Sequence, residues 1–97
     1  MIQPEYSYGL PFLLTATGLV YTGPVVANGI IVSSHSSGTI KLWDNTAGSG
    51  TVLVNTITLG ATERFIPLYG AKANVGIFAT VGGTLAATLV YNPFVGG

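Results

Sequence analysis

Charge is what this sequence has least of. Among 97 residues the charged side chains are Glu5, Asp44 and Glu63 against Lys41, Arg64 and Lys72, which is 6% of the chain and a formal net charge of zero. A free domain of this size normally carries roughly 25–35% Asp, Glu, Lys and Arg on its surface. The outer surface must therefore be covered by Thr, Ser, Asn, Gly and backbone, or be hidden against other protein copies. A neutral chain has no electrostatic reason to hold nucleic acid or an acidic surface, and two lysines with one arginine make no basic stripe.

Cysteine is absent altogether, which excludes disulfides and thiolate metal sites. A single histidine, His35, with Glu5, Asp44 and Glu63 scattered along the chain, does not supply the three or four ligands that zinc takes. Asp44 and Asn45 offer calcium one carboxylate, which makes a weak site. Ser34-His35-Ser36 places hydroxyls beside an imidazole, with Asp44 across a hairpin as the available acid. Adjacent residues do not form a triad unless the base reaches the nucleophile and a third group orients it, so the segment reads as a turn with hydroxyls capping backbone groups. Gly48-Ser49-Gly50 is followed by a strand pattern without Lys-Ser or Lys-Thr, unlike a phosphate loop. The expectation is a protein with no catalytic residues, no metal and no cofactor.

Long apolar runs are also missing. Every 18-residue window is broken by Thr, Ser, Asn, Gly-Pro or a charge, so no membrane-spanning helix is expected. The stretch from Leu10 to Val20 has no basic residue before it and lacks the form of a signal peptide. Synthesis and assembly in the cytoplasm are expected.

What the sequence does contain is period-two alternation, fourteen glycines and many β-branched residues, with few strong helix formers. Residues 1–10 carry two tyrosines but no strand-length pattern and read as a flexible arm. Residues 11–97 read as one domain, and the usual size scaling has a 97-residue chain bury about 64% of its surface. Phe12 to Thr17 and Leu19 to Thr22 form two short strands or one bent at Gly18. Val25 to Ser34 is a central strand bending near Asn28-Gly29, with a hairpin turn at Asn-Gly as the alternative. His35 to Gly38 is a turn, Thr39 to Asp44 a strand, Asn45 to Gly50 a loop and Thr51 to Leu59 a strand with apolar residues on both faces. Glu63 to Tyr69 is a strand that Pro67 confines to an edge or bulge, and Tyr69 to Ala73 is a loop. Asn74 to Val81 and Thr84 to Tyr91 are the arms of a hairpin turning at Gly82-Gly83. Seven to eight short strands at this spacing predict an all-β fold, a small antiparallel β-sandwich or partly closed barrel.

Ser37-Gly38-Thr39-Ile40-Lys41-Leu42-Trp43-Asp44 resembles the third strand and Trp-Asp end of a WD-type propeller blade. That repeat recurs every 40 to 45 residues over at least four blades. Residues 81–88 share the Gly-Thr-hydrophobic start but have no Trp-Asp, so the segment reads as a hairpin strand with Trp43 at a sheet end.

A wider resemblance runs from about residue 19 to 91. Gly29-Ile30-Ile31-Val32-Ser33-Ser34-His35-Ser36-Ser37-Gly38-Thr39-Ile40-Lys41-Leu42, a Gly/Ser loop, Val54-Asn55-Thr56-Ile57-Thr58-Leu59, Phe65-Ile66-Pro67-Leu68, Gly76 to Thr84 and Thr88-Leu89-Val90-Tyr91 together resemble small β-sandwich structural proteins of tailed bacteriophage virions. The resemblance implies a non-enzymatic capsid decoration or head accessory protein, at home in the virion and assembled in the host cytoplasm. It also implies self-association, with a trimer expected because such proteins often occupy three-fold positions, and contact with the major capsid protein or another virion protein. It implies no active-site residues. A tail or fibre-associated carbohydrate or receptor-binding module is the alternative, since exposed aromatics suit either role. The residues expected at the interface are Tyr6, Tyr8, Tyr21, Trp43, Leu53, Ile57, Phe65, Tyr69 and Phe78.

Overall fold

The computed structural model of the protein describes residues 9–62 and 64–93, and the segment 1–8 that carries most of the expected arm lies outside them. Six strands make up the fold: β1 (Leu10–Leu14), β2 (Gly18–Thr22), β3 (Val25–Asp44), β4 (Thr51–Thr58), β5 (Phe65–Ala73) and β6 (Gly76–Pro93). Among the described residues there is no helix. All pairings are antiparallel, and the strands form one hydrogen-bonded sheet.

The frame is a two-stranded ribbon of β3 and β6, paired from Val25↔Pro93 to Trp43↔Phe78. On its β6 side lie β1, opposite residues 87–91, and β2, opposite residues 76–79. On its β3 side lie β5, opposite residues 25–31, and β4, opposite residues 39–44. One end of the ribbon is thus widened to the order β1-β6-β3-β5 and the other to β2-β6-β3-β4.

The ribbon folds back on itself. Ala73 pairs with Val25, at the start of β3, yet the Gly76 N–H lies 3.4 Å from the carboxylate of Asp44, at the end of β3. A link this short in the chain holds both ends of a 20-residue strand together, so β3 must bend sharply between them. The Tyr21 and Tyr91 rings, one from each end of the ribbon, meet at 5.6 Å between centroids. The result is an antiparallel β-sandwich made from one sheet, and the sheet does not close into a barrel. Counting the two arms of β3 and of β6 separately gives eight strands, within the seven to eight expected.

The bend explains where the sequence reading erred. Gly82-Gly83 is not a hairpin turn, and His35 to Gly38 is not a loop between strands. Both lie inside continuous strands at the corner, where the β3–β6 register shifts between Val32 and Ser34 and again between Ser36 and Thr39. Ser37 and Gly83 have left-handed backbone there, with φ of 53° and 70°, and a Cβ on Gly83 would come 2.2 Å from the Ser37 carbonyl oxygen. Only a residue without a side chain lets the two backbones cross this closely. Residues 70–73, expected in a loop, continue β5 through a left-handed bulge at Tyr69-Gly70 (φ 56° and 68°). The Asn45–Gly50 loop, the bend in place of a turn at Asn28-Gly29, and the edge position of Pro67 agree with expectation.

Two side chains clamp the corner. On β6, the Thr17 hydroxyl accepts the Val81 N–H at 2.9 Å and donates to the Val81 carbonyl at 3.3 Å. On β3, His35 Nδ1 accepts the Gly38 N–H at 3.2 Å while Nε2–H donates to the Gly60 carbonyl at 2.8 Å, which fixes the Nε2–H tautomer. The Leu59 N–H donates to the Gly38 carbonyl at 3.0 Å beside it.

Between the two layers lies one apolar core that draws on both arms. Leu14, Val25, Ile30, Leu85 and Leu89 come from the β1 and β5 end or the corner, and Val20, Ile40, Leu42 and Ile77 from the other end. Each large side chain buried here is worth about 1.5–3 kcal/mol. Among the described residues no polar or charged side chain is buried, so the core supplies cohesion and no chemistry.

Candidate interaction site on the outer sheet faces

With the inner faces filled, the chemistry open to this molecule lies on the outer faces, and the register defines what stands there. Residues directly opposite across antiparallel strands point to the same side. Leu13 of β1 pairs with Thr88 of β6, Thr88 with Ile31 of β3, and Ile31 with Phe65 of β5. This row crosses the whole β1-β6-β3-β5 layer, and Leu13, Ile31 and Phe65 are 72%, 46% and 53% exposed. The next row outward on the same face is Pro11, Val90, Gly29 and Pro67. The Phe65 ring fills the space a Gly29 side chain would take. A third row, Asn92, Val26 and Lys72, forms a polar margin.

The opposite face has a corresponding row through Leu19, Phe78, Trp43 and Val52. Leu19 and Val52 are exposed, while Phe78 and Trp43 are half-buried. The Lys41 ammonium sits 4.3 Å from the Trp43 ring centroid, a cation–π contact. The indole N–H donates to Thr80 Oγ1 at 3.0 Å. One ring face and the polar handle of Trp43 are thus already engaged. Gly48, in the loop after β3, packs close to the Phe78 ring, with a Cβ there falling 3.2 Å from Phe78 Cε1, so that loop partly covers this side.

The interface residues expected from sequence separate into four groups. Phe65 and Tyr69 are exposed, Tyr69 at 88% on the β5 bulge. Trp43 and Phe78 stand half-buried on the outer face just described. Tyr21, Leu53 and Ile57 pack against the core; the β3–β4 register shift between Ile40 and Leu42 turns both Val54 and Ile57 inward. Tyr6 and Tyr8 lie outside the described residues. Leu13, Ile31, Pro11 and Val90 were not expected at an interface. The apolar run Leu10-Pro11-Phe12-Leu13-Leu14 was the visible signal, because a strand apolar on both sides needs two covers.

The polar groups considered for chemistry are held apart and committed to backbone. His35 stands at the corner bonded to Gly38 and Gly60, whereas Asp44 lies at the far end of β3. Asp44 Oδ1 accepts the N–H groups of Val75 at 2.8 Å, Asn74 at 3.0 Å and Gly76 at 3.4 Å. Partial desolvation pushes its carboxyl up, but the bonds from Val75, Asn74 and Gly76 together outweigh that and hold it below its ordinary value. Asn45 Oδ1 accepts the Thr46 N–H and its amide donates to the Ser49 carbonyl, closing the loop locally. Among the described residues there is no cluster of three metal-ligating side chains and no pocket.

Comparison with protein-family models, with curated proteins and with solved structures gives no significant match to this chain.

Proposed function

We propose that this protein is a non-enzymatic structural component that works by packing against other protein surfaces in an assembly of many copies. The observation that carries the reading is the row Leu13, Thr88, Ile31 and Phe65 across an outer sheet face, in which three of the four side chains are large, apolar and exposed. Surfaces left open to water on a lone domain rarely carry contiguous apolar patches, and interfaces deplete Lys, Glu and Asp. A chain with 6% charge shows that depletion throughout. The finer reading is a capsid decoration or head accessory protein of a tailed-phage particle, in contact with the major capsid protein or another virion protein. It rests on the resemblance of residues 19–91 to such proteins.

Mass spectrometry of intact source particles, with antibody labelling to locate the chain, tests both levels. The expected result is a multicopy particle protein distributed over the head. Absence from particles removes the virion reading. A chain that is also monomeric in solution up to about 0.5 mM removes the assembly reading with it.

A further inference from the structure

Among the described residues nothing packs over the outer face of the β1-β6-β3-β5 layer, where Leu13, Ile31 and Phe65 are exposed, and we infer that it packs against the same face of a second copy, giving a two-fold pair. The inference rests on the assembly reading and names the contact.

The edges of this layer disfavour the other common way for sheets to associate. Pro11 lies in edge strand β1 and Pro67 in edge strand β5, and neither residue has an N–H to give an added strand. The left-handed bulge at Tyr69-Gly70 further breaks the β5 edge. Such features block edge-to-edge pairing. At this layer the face is the surface left for contact.

Charge and shape choose this face and a copy of itself as occupant. Its two central rows, with Pro11, Leu13, Ile31, Phe65, Pro67 and Val90, contain no charged residue. These two rows meet their own image without like-charge repulsion, and the one lysine of the face, Lys72, stands outside them at the margin. On the opposite face an isologous contact would bring Lys41 toward its own copy, and the 45–50 loop already leans over Phe78.

The size fits a weak pair. Strands spaced at about 4.8 Å with about 3.4 Å per residue, β1 stopping opposite Ala27, cover about 450 Å² over the arm from Val25 to Val32. Two such faces hide about 900 Å², in the range of weak, concentration-dependent association.

Symmetry decides the copy number. The two apolar rows lie on opposite sides of the sandwich, so contact between unlike faces would run on as an open stack, whereas like-to-like contact closes at two. This departs from the trimer expected from the resemblance.

Sedimentation equilibrium of the full chain from about 5 µM to 500 µM tests the inference. The expected result is a concentration-dependent rise from the 9.9 kDa chain mass to twice that value. Leu13→Glu and Phe65→Glu should each weaken the pair at least tenfold, while Val52→Glu on the opposite face leaves it unchanged. All three sites are exposed, and circular dichroism checks that each variant folds. Because the chain has no cysteine, Thr88→Cys, at the middle of the row, supplies a second readout in an otherwise unaltered protein: oxidation should trap a covalent dimer. A trimer or larger species indifferent to Leu13→Glu, or a dimer broken by Val52→Glu, overturns the inference and leaves the assembly reading standing. A monomer at every concentration, with no trapped dimer, overturns both.

Discussion

Asp44 and Val75 are joined by a hydrogen bond of 2.8 Å from the Val75 N–H to the Asp44 carboxylate, across 31 positions of chain. The same oxygen takes the N–H groups of Asn74 and Gly76. One acidic side chain therefore gathers the β5–β6 connection against the end of β3 and holds the ribbon in its folded form. Asp44→Ala should cost about 1–2 kcal/mol, the scale for losing a side chain that caps backbone donors. Asn keeps one acceptor oxygen, so Asp44→Asn should cost less. Urea denaturation midpoints at neutral pH measure both.

The same carboxylate sets a pH dependence with a definite sign. Its folded-state pKa lies below the ordinary value because the bonds from Val75, Asn74 and Gly76 outweigh partial desolvation. Its contribution to stability is therefore complete above the unfolded-state pKa of about 3.9, and it is lost as pH falls through the lower folded-state value. The wild-type chain should lose its stability advantage over Asp44→Asn as pH falls below about 4. An advantage unchanged across that range would show that the carboxylate charge plays no part in the clamp.

His35 holds the other critical point, the bend of β3. Removing it in His35→Ala leaves the Gly38 N–H and Gly60 carbonyl without the ring. Two hydrogen bonds of neutral groups predict a loss of about 1–2 kcal/mol. The effect should be local as well as global: amide exchange at Gly38 and Leu59 should accelerate most, because the Leu59–Gly38 bond is adjacent. Uniform acceleration over all strands would argue that the ring only adds bulk.

How far the fold was legible follows from which interactions are local. The strands could be read because Thr, Val and Ile alternate in them, and the Asn45–Gly50 loop because Asn and Gly favour turns wherever they sit. The corner could not. Gly82-Gly83 satisfies a two-residue hairpin turn and a close crossing of backbones equally well, and only the partner at Ser36 and Ser37 decides between them. The outer face was half legible. Phe65 stood out by size, but the row joining it to Leu13 exists only through the register of four strands distant in sequence. For His35, the flanking serines suggested a turn, while its actual partner, the Gly60 carbonyl, lies 25 residues away.

Gly83→Ala separates the two possible demands on that glycine. At φ of 70° an alanine costs about 1 kcal/mol from backbone strain alone. Gly70 has nearly the same φ, 68°, but nothing lies within 4 Å of where its methyl group would stand, so Gly70→Ala should cost only that amount. At Gly83 the Ser36 and Ser37 carbonyl oxygens occupy the methyl position and the chain must shift, so the loss should exceed that of Gly70→Ala by at least about 1–3 kcal/mol. Equal thermal melting points for the two variants would mean that the corner can open freely.

Tyr69 provides the opposite case, a substitution expected to stabilise. Its backbone is left-handed at φ 56°, where a residue with a bulky side chain carries roughly 1 kcal/mol of strain. Asn tolerates this conformation because its short side chain can bond to nearby backbone. With the ring 88% exposed, Tyr69→Asn gives up little packing in the isolated chain. Stability should rise by about 0.5–1 kcal/mol, or several degrees in melting temperature for a domain of this size. On the proposed assembly reading, an aromatic ring held out on an edge bulge would anchor a contact with a partner protein. If that proposal holds, Tyr69→Asn should melt higher and associate less well with its partner in the assembly. A variant that melts lower than the wild-type chain would mean that the ring contributes more to the isolated fold than its backbone costs.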